Sequence, residues 1–213
     1  MFRRKRTKIF VIGRNKTGTT STGSALATFG FRLGNQPEAE LLLEDWFKRD
    51  FRRIVKYCKN ADAFQDVPFS RDYTYQIMDY AFPGSKFILT VRNSPEEWYE
   101  SLTRYHTEIV GKNRLPTAGD LKQFLYRNTG WLWRQQQIVY GIDETSLYDK
   151  DIYINHYISH KYKILDYFRN RPEDLLVLNL SKPGAMQSLC KFLNFTFTNQ
   201  VMPHLNKSKS NIR

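Results

Sequence analysis

The sequence predicts an α/β fold, with a parallel sheet flanked by helices and a helical elaboration toward the C-terminal end. Three observations predict it. Short apolar runs at 8–12, 63–68, 86–92 and 175–180 are separated by stretches with helical spacing, and strands that alternate with helices pair in parallel with both faces covered. A polar loop framed by glycines stands between the first run and the first helical stretch. The chain has 213 residues, 41% hydrophobic and 15% aromatic, which suits a single domain with a substantial core and excludes global disorder.

Residues 8–12, Lys-Ile-Phe-Val-Ile, have the largely β-branched, apolar pattern of a buried parallel strand. The run breaks at Gly13, and Gly18 follows after four polar or basic residues. From Thr19 onward Ala25, Leu26 and Phe29 fall at helical spacing, with Thr and Ser in the first turn where capping groups belong. Strand, glycine loop and helix together present free backbone N–H groups and the positive helix end to an anion. Lys16 adds a point charge, and Thr17, Thr19, Thr20 and Ser21 add hydroxyl donors. The predicted feature is a phosphate-binding loop. It departs from the nucleotide-triphosphatase motif, which places Gly-Lys-Ser/Thr at the helix start so that the hydroxyl holds Mg²⁺.

Residues 30–34 read as a turn and short strand, and 38–57 as two helices through Leu41, Leu42, Trp46, Phe47, Phe51, Ile54 and Val55. Residues 63–68 read as a short strand that ends at Pro68, and 72–81 as a helix closed by Pro83-Gly84. The run at 86–92, KFILTVR, is the second clear buried strand. Asn93-Ser94-Pro95-Glu96-Glu97 then supplies a cap, a first-turn proline and acidic residues for a helix through Trp98, Leu102 and Tyr105. Residues 120–171 are mostly helical with a break at 141–149, followed by a last strand at 175–180 and a last helix at 185–193.

The net charge is +12, and the opening MFRRKRTK has no acidic residue. Such a balance favours anionic partners: nucleotides, acidic glycans, nucleic acid or an anionic membrane surface. No window approaches the roughly 20 apolar residues of a membrane span. Cys58 and Cys190 lie far apart without metal or redox spacing, which reads as two reduced thiols in a cytoplasmic protein.

The order Gly13-Arg14-Asn15-Lys16-Thr17-Gly18-Thr19-Thr20 resembles the 5′-phosphosulfate loop of sulfotransferases that use 3′-phosphoadenosine 5′-phosphosulfate (PAPS). Further segments resemble the same family in the same order: 66–68, 82–89 followed by Arg92, 157–168, 189–193 and 202–207. The resemblance implies that Arg14, Asn15, Lys16, Thr17, Gly18, Thr19, Thr20 and Ser21 bind the 5′-phosphosulfate. It also implies that Arg92, with Ser101 on the following helix, holds the cofactor's 3′-phosphate. An arginine suits that role because its planar fork binds phosphate bidentately. The spacing is one residue longer than the usual pattern, so Ser94 stands as the alternative to Ser101, and Arg92 paired with Glu96 or Glu97 is the reading without a ligand. Lys207 is expected to close over the cofactor's phosphates.

Sulfuryl transfer needs a base for the acceptor proton, and Asp66 is the first candidate, His106 the second and His160 the third. A turn or capping role is the alternative for Asp66, and packing the alternative for the histidines. Lys16 is expected to stabilise charge on the leaving phosphate. Trp131, Trp133, Tyr140, Tyr153 and Tyr157 are expected either to wall the acceptor site or to fill the core. The expected activity is PAPS-dependent transfer of a sulfuryl group to an acceptor hydroxyl, preferably of a carbohydrate, without a metal, nucleic acid or membrane span. The alternatives are a nucleotide-dependent phosphotransferase and a basic nucleic-acid-binding module.

Overall fold

A computed structural model describes residues 7–111, 113–203 and 205. The basic residues before 7 and the predicted ligand Lys207 lie outside them. Four parallel strands form one sheet: β1 (Ile9–Val11), β2 (Ala63–Gln65), β3 (Lys86–Thr90) and β4 (Leu175–Leu178), in the order β2-β1-β3-β4. Phe10 lies opposite Phe64 and Phe87, and Ile88 opposite Leu176. The α/β architecture is therefore the one expected.

The period of two along each strand sends alternate side chains to opposite faces. Ile9 and Val11 pack with Ile88, with Ala25 and Leu26 of α1 (Thr19–Thr28), and with Met186 and Leu189 of the last helix, Ala185–Phe192. Phe10 and Ile12 face the larger core on the other side, where the Phe10 ring stacks on Phe64 and Phe87 with centroids 5.3 and 5.5 Å apart. The strands β1 and β3 are almost wholly buried between the two layers, while the edge strand β4 is partly exposed, with Val177 open to solvent.

The region read as two helices holds three: α2 (Gln36–Glu40), α3 (Leu43–Phe47) and α4 (Arg52–Tyr57). Asn35 caps α2 by accepting from the Glu38 N–H, and Arg49 takes a left-handed φ of 59° that separates α3 from α4. The next helix, α5 (Thr74–Ala81), starts two residues later than predicted, because Tyr73 is left-handed at φ 66° and Asp72 is held by charged partners instead. Then come α6 (Pro95–Ile109), α7 (Ala118–Gln123), α8 (Trp131–Tyr140) and α9 (Lys150–Tyr167), with the predicted break between α8 and α9. Leu33 makes a single parallel bridge to Ala63 where a short strand was expected. No helix among the described residues is long and apolar enough to cross a membrane.

Candidate active site

Strand order places the site. The chain leaves β1 for β2 on one side and returns to β3 on the other, so the connections after β1 and β3 part at the C-terminal edge. Parallel sheets bind ligands at such switch points. The loop after β1 and the segment after β3 meet there, at a cleft of about 320 Å³, within the ~300–1,000 Å³ of small-molecule sites.

The loop is shaped by its glycines. A Cβ on Gly13 would stand 2.0 Å from Thr90 Oγ1 and 2.4 Å from the Thr90 carbonyl, so only glycine lets the loop pass the end of β3. Gly18 has φ 98°, in the left-handed region that favours glycine. Gly18 is the N-cap of α1, and no side chain caps that helix. The first-turn N–H groups thus face the cleft beside Thr19, Thr20 and Ser21, which line it.

Other predicted loop residues take different places. The Arg14 side chain turns inward: it is 1% exposed, donates from Nη1 to the Ser70 carbonyl at 2.8 Å and from Nη2 to His156 Nδ1 at 2.8 Å, and meets Asp72 at 3.3 Å. Thr17 is buried with its Oγ1 2.6 Å from Thr90 Oγ1, bracing the loop on β3. Asn15 lines the cleft while its carbonyl accepts from Trp98 Nε1 at 2.9 Å. The Ser21 hydroxyl accepts from the Leu205 N–H at 3.0 Å, which sets Leu205 along this edge of the cleft. Lys16 has φ 65° and carries its ammonium 4.2 Å from the centre of the Tyr105 ring. Burial lowers the Lys16 pKa from its ordinary value, and Arg92 and Arg104 add to that while Glu108 opposes it.

Arg92 lies two residues beyond β3. Its Nε donates to the Lys16 carbonyl at 2.7 Å, Nη1 meets Glu97 Oε1 at 3.1 Å, and Nη2 donates to Ser101 Oγ at 3.3 Å. The structure thus brings Arg92 and Ser101 together and also forms the ion pair with Glu97. Ser94 is elsewhere employed, because its hydroxyl caps α6 by accepting from the Glu97 N–H at 3.1 Å.

The candidate bases divide. Asp66 lines the cleft at the end of β2 in a left-handed conformation, φ 55°. Its Oδ2 accepts from Thr19 Oγ1 at 3.4 Å, and its buried Oδ1 has no hydrogen-bond partner among the described residues. Burial raises the Asp66 pKa, and the charge of Arg71 is the strongest opposing influence. Asp66 is a turn residue as well, since its carbonyl accepts from the Ser70 N–H at 2.7 Å. His106 also lines the cleft, with Nδ1 2.8 Å from the Tyr148 hydroxyl, and burial lowers its pKa to about 4. His160 does not line the cleft: it is buried behind the loop, where Nε2 donates to the Ile12 carbonyl at 2.8 Å.

The aromatic set divides too. All five are buried in the core, and of them Trp131 also lines the cleft. Tyr140 stacks on Tyr153 at 4.2 Å, and Tyr157 on Trp98 at 4.7 Å. Helical spacing alone does not distinguish a wall from a core.

Several cleft residues had no sequence signal. Glu40, 6% exposed at the end of α2, forms an ion pair with Arg127, which lies in the turn closed by the Leu125–Thr129 bridge. Burial, and then Asp66, raise the Glu40 pKa to about 6. Gln65, Gln135, Tyr105 and Tyr126 complete this side. These residues come from five separate segments, which local pattern cannot join. Arg71, fully buried behind Asp66, was likewise unmarked.

Fold and cleft define an α/β protein in which the start of α1 and the cations Lys16, Arg92 and Arg127 line one cleft. A sequence model of the sulfotransferase domain family matches residues 8–211, and the chain belongs to that family. A comparison with curated proteins gave no match.

Proposed function

We propose that the protein transfers a sulfuryl group from PAPS to an acceptor hydroxyl, with a carbohydrate the preferred acceptor. One observation carries this reading: the β1–α1 loop and Arg92 line one cleft and are tied together through the Lys16 carbonyl, with the buried Ser101 hydroxyl at hydrogen-bond distance from Arg92. The fit to the donor rests on helix-start N–H groups without a side-chain cap among the described residues, a loop lysine that lines the cleft, and an arginine with a hydroxyl beside it. PAPS would supply the sulfuryl group and leave as its desulfated product, PAP. Lys16 and the N–H groups of Gly18 to Ser21 would hold the 5′ phosphosulfate and stabilise the charge left on the phosphate oxygen. Arg92 and Ser101 would hold the 3′-phosphate.

Asp66 takes the acceptor's proton. It lines the cleft beside Thr19, and burial raises its basicity above that of an ordinary carboxylate. His106 is a neutral imidazole at pH 7 and is the second candidate. The acceptor lies on the side built by Glu40, Gln65, Gln135, Tyr105, Tyr126 and Trp131. Amide and carboxylate groups between aromatic rings match the hydroxyls and apolar faces of a sugar. We read the chain as one domain, with residues 120–171 contributing to that side. Two buried free cysteines are compatible with a cytoplasmic setting.

The test is incubation with PAPS and a panel of neutral saccharides, acidic saccharides and phenols, with no added metal. Formation of PAP together with a sulfated saccharide is the expected result. Phosphoryl transfer from ATP with Mg²⁺, and no PAP from PAPS under any condition, would overturn it in favour of a phosphotransferase.

A further inference from the structure

Four of the side chains that line the cleft end in oxygens short of hydrogen-bond donors. Asn15 Oδ1, Gln65 Oε1 and Asp66 Oδ1 are buried and have no partner among the described residues. Buried polar atoms are nearly always paired, so each exception calls for an explanation. Asn15 and Gln65 are amides and can turn either end to a ligand. Asp66 is an acid, and an ionised carboxylate only accepts. Glu40 is the fourth. It is 6% exposed at the end of α2, and its Oε2 accepts from Arg127 Nε. Its Oε1 has only Gln36 Nε2, at 3.4 Å, and that amide also donates to the Val67 carbonyl at 3.1 Å. A carboxylate offers about four acceptor positions, so Glu40 keeps capacity for a ligand's hydroxyl after both bonds are made. The shared Gln36 amide also ties α2 to the turn that carries Asp66.

The charges on this side decide what kind of acceptor fits. Among the described lining residues the cations are Lys16, Arg92 and Arg127, and the acids are Glu40 and Asp66. Lys16 and Arg92 belong to the cofactor's phosphates in the reading above. Arg127 is committed to Glu40, and the centre of its guanidinium lies 4.4 Å from the centre of the Tyr126 ring. An acidic acceptor brought to Arg127 would meet Glu40 as a like charge, with Asp66 as a second. An acceptor hydroxyl brought to the same place would find free acceptor positions.

We infer that Glu40, held by Arg127, is a specificity-determining residue that selects an uncharged, hydroxyl-rich acceptor and rejects an acidic one. This rests on the reading of the cleft as a sulfotransferase site. Glu40 takes no part in bond making: it accepts a hydrogen bond from an acceptor hydroxyl other than the one sulfated. A carboxylate or sulfate on the acceptor has no hydrogen to give at that position and adds a repulsion. A phenol has one hydroxyl, which the reaction itself consumes, and leaves Glu40 without a partner. A neutral saccharide has hydroxyls for both purposes.

The experiment offers the methyl glycosides of glucose, galactose and mannose, each beside its uronamide and its uronate, to the intact protein and to Glu40→Gln at saturating PAPS. Each set of three shares one ring and differs at one carbon, so the uronamide separates charge from size. The glycosides and uronamides are expected to be sulfated with similar kcat/KM, and the uronates with a value about tenfold or more lower. Glu40→Gln should close most of that gap, chiefly by lowering KM for the uronates. Uronates as good as the glycosides, uronamides as poor as the uronates, no transfer to any neutral member, or a gap unmoved in Glu40→Gln each overturn the inference. Should Glu40→Gln fail to fold, Glu40→Asp takes its place: withdrawing the carboxylate should raise KM for the glycosides more than it lowers kcat, and an unchanged KM overturns the assignment. The melting temperature with PAP is read in parallel. Absence of stabilisation by PAP overturns the sulfotransferase reading itself, whereas stabilisation by PAP with any of the contrary outcomes above overturns only the role of Glu40.

Discussion

Arg92 Nε donates to the carbonyl of Lys16 at 2.7 Å. The arginine after β3 is therefore latched to the loop after β1, and one guanidinium both shapes the loop and lines the cleft. Removing it has two consequences, whereas removing the Lys16 ammonium has one. Charge-assisted hydrogen bonds contribute about 1.5–3 kcal/mol each. Arg92→Ala should thus weaken PAP by about 100-fold or more, and Arg92→Lys should not restore binding, because an ammonium has no planar fork. Titration calorimetry with PAP checks this, and wild-type affinity in Arg92→Lys would contradict it.

The two serines of this segment should separate cleanly. Ser94 caps α6, while Ser101 is 3% exposed beside Arg92. Loss of an N-cap costs about 0.5–2 kcal/mol of stability. Ser94→Ala is expected to lower the melting temperature and leave PAP affinity intact. Ser101→Ala should do the reverse. Urea denaturation and PAP titration on the pair give the answer, and a PAP defect in Ser94→Ala would reverse the assignment.

Gly13 should tolerate no side chain. Its Cβ would enter the backbone of Thr90, which cannot move without disturbing β3. Gly13→Ala should cost about 1–3 kcal/mol as overpacking and abolish PAP binding together with the loop shape. A folded Gly13→Ala protein that binds PAP normally would refute this account of the loop.

Stability should fall on mild acidification. His106 and His160 have folded pKa values of about 4 against an ordinary 6.5, and His156 is held down as well. A depressed folded value means that the unfolded chain binds protons first, so the stabilisation is complete above pH 6.5 and is lost as pH falls toward 4. Between pH 7 and 5 this amounts to about 2 kcal/mol per histidine. Glu40 acts in the opposite sense: its raised value, about 6, means that the folded state takes up a proton first and gains about 1 kcal/mol over the same interval. Asp66, also raised, has the same sign as Glu40. Three histidines outweigh two carboxyls. Urea midpoints at pH 7 and pH 5 test the sign, and equal or greater stability at pH 5 would contradict it.

The parts legible in the sequence are those written in contiguous residues. A buried strand, a glycine loop and a helix follow one another from 8 to 28, and the second strand and its capped helix from 86 to 109, so local spacing sufficed, although the Thr and Ser expected to cap the first helix do not do so. The helices of 36–57 were harder, because the turn at 41–42 and the left-handed Arg49 cut one apolar rhythm into three short pieces. Arg14 and Thr17 sit within the loop motif, yet their side chains serve its foundation, since the inward or outward turn of a side chain depends on what lies behind it. Glu40, Arg127 and Arg71 were silent for a related reason. Each has an ordinary local sequence; Glu40 and Arg127 become unusual only when the fold pairs them, and Arg71 only when the fold buries its guanidinium.

The central claim is that this cleft receives a 3′,5′-bisphosphorylated adenosine. The most direct measurement is the melting temperature of the purified protein with PAP, compared with ATP and Mg²⁺, and repeated on Lys16→Ala and Arg92→Ala. A ligand that binds only the folded state raises the melting temperature by mass action. Stabilisation by PAP that is reduced in Lys16→Ala and lost in Arg92→Ala is the predicted result. No response to PAP, with a clear response to ATP and Mg²⁺, would contradict it.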